Sequence, residues 1–176
     1  MTQESLQRID SFLESSTQDL FKSQGMEVTQ DPRRKAEAAN PLAATIGFTS
    51  ENLRGFLMLT LDRDLASRSL PPNLREGAAS EEILADWTGE LSNQLLGRLK
   101  GRFCPAGIEI SLSTPIVFTG KEMHRFPNTA PIQRTLFFAE GRLIVEIQAS
   151  YDRDFEIPEE SERSEPGRPE GEVLFF

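Results

Sequence analysis

Asp86, Glu90, Asn93 and Gly97 recur at steps of four, three and four residues within the stretch "DWTGELSNQLLG". On a helix turning about 100° per residue, that spacing puts all four on one narrow stripe. The residue types matter as much as the spacing. A carboxamide donates through its NH2 and accepts through its carbonyl, without titrating near neutral pH. A carboxylate one turn away can pair with a cation and orient it. Lys100 lies near the same stripe. The plainer account is the solvated side of an amphipathic helix, and most polar stripes are only that. Two features weigh against it: the usual lysine–glutamate filler is missing, and a glycine inside a helix costs about 1 kcal/mol against alanine. Gly97, one turn beyond Asn93, would clear room for another protein's surface to approach, and Gly89 lies nearby.

Rival constellations are weak. The single histidine, His124 in "GKEMHRFPN", has no nucleophile paired with it and is expected to be an ordinary loop residue. Cys104, the single cysteine, is expected to be a small buried apolar group. One Cys and one His cannot make a typical protein zinc site. Asp62 and Asp64 sit at a strand–helix junction, where capping explains them better than paired-carboxylate catalysis. Neither a GxGxxG sequence nor a P-loop is present.

The stripe needs a helix to carry it. "SEEILADWTGELSNQLLGRLKGRF", residues 80–103, has Ser80 as N-cap, Glu81 and Glu82 in the first turn, and Lys100 and Arg102 near the end. Leu84, Ala85, Trp87, Leu91, Leu95, Leu96 and Leu99 form its broad apolar arc. Residues 5–24 predict a first helix, with Leu6, Ile9, Leu13, Leu20 and Phe21 as its stripe, Phe12 beside it and Gly25 as its stop. A short strand is expected around "MEVTQ" and a loop over "DPRRKAEAANP". Residues 42–50 and 54–62 predict a hairpin around "SENLRG". A short helix over 63–70, capped by Asp62, ends at "PPN". Strand character returns over 108–120 and again over 134–151, where Glu140–Gly141 splits a second hairpin. Hairpin-joined strands imply a mainly antiparallel sheet with the helices on one face, a two-layer α+β fold.

The 176 residues suit one domain, and 38% hydrophobic with 27% charged composition suits a globular one. Residues 1–155 are expected to form that domain and 156–176 an acidic, disordered tail, whose terminal "VLFF" is either a docking peptide or a frayed end. The formal charge is −9. Residues 152–172 carry nine acids against three arginines, which leaves about −3 for the body. Such a body has no evident attraction to nucleic acid or anionic lipid. No secretory signal and no membrane span is expected, and a lone cysteine suits a cytoplasmic setting.

"DWTGELSNQLLGRLKGRF", followed by "ISLSTPIVFTG", resembles the CheC/CheX/FliY family of chemotaxis phosphatases. Their signature is Asp or Ser, three residues, Glu, two residues, Asn, and a later Pro. Asp86, Glu90 and Asn93 match that spacing. Pro115 follows with twenty-one residues between, one fewer than the family's usual count. "TIGFTSENLRGFLMLTL" is similar to the family's hairpin ahead of this helix. The motif occurs once, as in CheX; two-site CheC members carry it twice.

The resemblance implies a phosphatase for phospho-aspartate on a response-regulator receiver domain. It implies that Asn93 positions the attacking water and that Glu90 pairs with the receiver's lysine. Asp86 and Gly97 would support docking, and Pro115 would shape the strand edge. It also implies no cofactor or metal of the chain's own, Mg2+ on the receiver, and a homodimer. Two alternatives remain: a non-catalytic module that docks a receiver or another signalling protein, and a structural α+β protein with an accidental motif.

Overall fold

Alternating apolar residues build the sheet, and three-four spaced apolar residues build the helices that cover it. In the computed structural model the described residues are 2–28, 41–75, 79–120, 131–139, 141–152 and 155–157. The order is α1 (Gln3–Ser23), β1 (Leu42–Thr49), β2 (Leu53–Leu61), α2 (Arg63–Ser69), α3 (Glu81–Phe103), β3 (Ser111–Leu112), β4 (Ile116–Thr119), β5 (Ile132–Phe138) and β6 (Gly141–Tyr151). Every strand pair is antiparallel, and the sheet order is β3-β1-β2-β6-β5 with β4 also on β1. This is the two-layer α+β architecture expected from the sequence.

One sheet face is apolar across three central strands. Leu42, Ala44 and Ile46 of β1 stand opposite Leu61, Leu59 and Leu57 of β2, which face Leu143, Val145 and Ile147 of β6. All nine are buried. Ile9 of α1 and Leu96, Leu99 and Phe103 of α3 meet Phe48 and Ile147 around one small void, which places both long helices on this face. Phe12 and Phe103 pack edge to face at 5.5 Å, and Phe21 lies 4.9 Å from Phe138. Arg102 ties α3 to α1 through Ser16 at 2.9 Å and Asp19 at 2.6 Å.

The helix ends follow local chemistry. The Ser80 hydroxyl accepts from the Ile83 amide at 3.2 Å, as an N-cap should. Gly25, at φ 75°, closes α1: its N–H donates to the Lys22 carbonyl, and the Met26 N–H donates to Phe21. That paired closure needs a left-handed residue, which glycine supplies without Cβ strain.

Several expectations are corrected. Met26–Val28 form no strand; the Met26 side chain is instead buried in the core, while the rest of that stretch and the loop after it fall on residues outside those described. Leu6 is 38% exposed and Ser5 is buried in its place. The reason is a long-range bond: the Ser5 hydroxyl accepts from the Ile157 amide at 3.1 Å. Phe155 and Ile157 are themselves buried, so packing continues into the first residues assigned to the tail. Cys104 is exposed because the chain leaves α3 through a single 3-10 turn that ends at Gly107, φ 76°. Asp62 sits at the N-cap position of α2 but makes no side-chain cap. Its Oδ2 accepts from the Arg142 amide at 2.8 Å, which clasps the β2–α2 junction to the start of β6. His124 and the terminal "VLFF" lie outside the described residues.

The run expected over 108–120 is broken in two. Phe48 pairs with Leu112 and Thr45 with Ile116, so two residues of β1 face three of the edge run. That is a bulge. Pro115, which has no N–H to give a ladder, sits in it. Ser113 repairs the pairing: its N–H donates to the Gly47 carbonyl at 2.9 Å, and its Oγ accepts from the Gly47 N–H at 2.9 Å.

Candidate functional site

α3 buries two kinds of residue. Leu84, Trp87, Leu91, Leu95, Leu96 and Leu99 are buried as expected, while Ala85 is half-buried. Thr88, Gly89 and Ser92 are buried as well. The hydroxyls of Thr88 and Ser92 donate to the carbonyls of Leu84 and Gly89, both at 2.7 Å. They turn inward without orphaning a polar atom. Trp87 reaches α2, where its Nε1 donates to the Ser69 hydroxyl at 2.9 Å.

The stripe stays outside. Asp86, Glu90, Asn93, Gly97 and Lys100 are all exposed. Glu90 and Asn93 are therefore presented together on the solvent side of one long helix, about one turn apart. Glu90 Oε1 accepts from Gln94 Nε2 at 2.8 Å. A Cβ built on Gly97 would meet nothing within 4 Å, so that end of the stripe is open.

Pro115 is not on this ridge. It is half-buried beside Gly89, where a Cβ would stand 3.7 Å from Pro115 Cγ and 3.2 Å from Val117 Cγ2. The structure thus brings Asp86, Glu90, Asn93 and Gly97 together and puts Pro115 behind them, against the helix. Gly89, Val117 and Gln94 were not singled out from the sequence as site residues. Gly89 alone left a signal, being a costly glycine next to Glu90 in the chain.

The site is a ridge and not a hollow. A polar cleft of about 640 Å3 opens at one end of the sheet, lined by residues such as Glu51, Asn52, Glu109 and Glu156, but no stripe residue lines it. Small-molecule sites enclose most of their ligand. A convex row of exposed groups instead suits insertion into a partner's concave surface. Among the described residues no group of histidine, cysteine or carboxylate side chains is placed to hold a metal ion. No helix among them is long and apolar enough to cross a membrane.

A family model described as chemotaxis phosphatase CheX matches residues 42–133, more than half of the chain. The match begins with β1 and ends in β5, so it contains Asp86, Glu90, Asn93, Gly97 and Pro115. No curated protein sequence matches the chain. Among solved structures, the chemotaxis protein CheX from Vibrio vulnificus is similar at TM-score 0.67 and 23% identity, over 78% of this chain and 93% of that one. A CheC-like superfamily protein from Shewanella sp. PV-4 gives 0.64 and 21%, over 81% and 97%. The CheX–CheY–BeF3–Mg2+ complex from Borrelia burgdorferi gives 0.56 and 14%, over 82% and 97%. At these identities the structural likeness carries the fold.

Proposed function

This chain belongs to the CheX family of chemotaxis phosphatases, and we propose that it hydrolyses phospho-aspartate on a CheY-like receiver domain. The observation that carries the reading is the joint exposure of Glu90 and Asn93 on one face of α3. A fold relative has been solved as a CheX–CheY complex, which supports a receiver as the partner.

An acyl phosphate is already activated, and its hydrolysis needs chiefly a water held in line with the leaving carboxylate. Asn93 suits that task. Its carbonyl accepts a hydrogen bond from the water, and its NH2 donates to a phosphoryl oxygen. The water oxygen bonds to phosphorus while the phosphorus–carboxylate bond breaks. The receiver's aspartate leaves with the electron pair, and the water's proton passes to phosphate or solvent. Glu90 pairs with the receiver's lysine and so registers the two surfaces. Asp86 and Gly97 extend the docking ridge, Asp86 by charge and Gly97 by absence of bulk. Mg2+ and the lysine that balance phosphoryl charge belong to the receiver, so the chain needs no cofactor of its own. The setting is the cytoplasm, and the working unit is a homodimer.

The test mixes the purified chain with acyl-phosphorylated CheY-like receivers and Mg2+ and follows loss of phosphate. Acceleration that disappears in Asn93→Ala, with receiver binding retained, supports the reading. Binding without acceleration makes the chain a docking module. Absence of both across a receiver panel overturns the proposal.

A further inference from the structure

Gly89 is buried in the middle of α3, where glycine is otherwise a poor choice. Its surroundings account for it. A Cβ there would lie 3.2 Å from Val117 Cγ2, tighter than ordinary packing, and 3.7 Å from Pro115 Cγ. Thr88 and Ser92 flank it on the buried side, so small residues bring α3 close to the edge of the sheet at this turn.

The strand side of the contact is braced. The bulge at Ser113–Pro115 is pinned to Gly47 by two hydrogen bonds of 2.9 Å, one from the Ser113 backbone and one to its hydroxyl. Pro115 adds a ring of fixed φ. Val117 follows within β4, which pairs with β1 from Ile116 to Thr119. Glu90 is the next residue after Gly89, and Asn93 is one turn on from Gly89, about 40° further round the helix on its exposed side. How closely the helix approaches at Gly89 therefore sets how far Asn93 stands from the sheet edge.

We propose that Gly89, Val117 and Pro115 form a depth stop that fixes where Asn93 holds the attacking water. They are positioning residues, acting through the helix, and the inference rests on the phosphatase reading above. Misplacing a reacting group by about 1 Å can cost about 100-fold in rate. A shift of a few tenths of an ångström should cost less but remain measurable.

The experiment compares Gly89→Ala, Val117→Ala and the double variant in receiver dephosphorylation, with thermal unfolding alongside. Gly89→Ala should lower kcat about tenfold, leave KM for the receiver within about threefold, and leave Tm unchanged or raised, since alanine favours the helix. Removing the opposing methyls in the double variant should return kcat to within about threefold of wild type. A purely structural role would lower Tm and would not show that rescue. Val117→Ile, which presses from the strand side, should also lower kcat, and it carries the test if Gly89→Ala fails to unfold cooperatively. Unchanged kcat in Gly89→Ala, or in Val117→Ile where that variant carries the test, overturns the depth stop, as does a double variant as slow as Gly89→Ala. If the wild-type chain is inert on every receiver, the phosphatase reading has failed and the depth stop falls with it.

Discussion

Gln94 holds Glu90: across one turn of α3 its Nε2 donates to Glu90 Oε1 at 2.8 Å. Such a pair on an exposed helix face contributes only about 0.2–0.5 kcal/mol. A cation arriving from a partner makes a stronger, charge-assisted bond to the same carboxylate. The amide therefore keeps the acid oriented while it waits, and is readily displaced.

That contrast gives the first prediction. Glu90→Ala should lower kcat/KM for a phosphorylated receiver by at least about 100-fold, mostly through lost docking, if the carboxylate grips a desolvated lysine. Gln94→Ala should cost no more than about threefold, because its hydrogen bond is weak. Steady-state dephosphorylation with both variants checks the ordering; equal losses would mean that Gln94 itself contacts the partner.

Asn93 is exposed, so its replacement should separate function from folding. Asn93→Ala is expected to remove stimulated dephosphorylation while shifting stability by no more than about 0.5 kcal/mol. Urea unfolding and receiver pull-down on the same preparation would show it. Asn93→Asp should also be inactive, because a carboxylate would face the phosphoryl oxygens with like charge.

The core makes the opposite prediction. Leu95 of α3 is fully buried in the core, and Leu95→Ala should destabilise the chain by about 2–5 kcal/mol. Denaturant unfolding would measure the loss. Activity per folded molecule should change far less than in Asn93→Ala.

Asp62 offers a test of an assignment that the structure revised. Since its carboxylate accepts from the Arg142 amide and does not cap α2, Asp62→Ala should cost about 1.5–3 kcal/mol, the range for a hydrogen bond to a charged group. Amide hydrogen exchange should rise at Arg142. Exchange that rises only in the first turn of α2 would restore the capping role.

What the sequence made legible was local. Ser80 as a cap, Gly25 as a stop and the alternating runs on both sides of "SENLRG" carry their meaning within a few residues, and each is found where expected. The polar stripe was legible for the same reason, since helical spacing alone puts Asp86, Glu90 and Asn93 side by side. What escaped depended on distant partners. Ser5 displaces Leu6 from the buried face because an amide 152 residues later needs an acceptor. The two glycines looked alike in sequence, yet Gly97 faces open space while Gly89 touches a strand that begins at residue 116. Cys104 follows a leucine-rich helix and was expected inside, but the direction of the turn at Gly107 decides its exposure.

The bond between Ser5 and Ile157 has a mechanical corollary. It buckles the opening turn of α1 to backbone that has already left the sheet. Neither piece can peel away without undoing the other, so a protease or a pulling force that enters at one would loosen both together. Fraying at this corner should be a single event, shared by segments that lie far apart along the polypeptide.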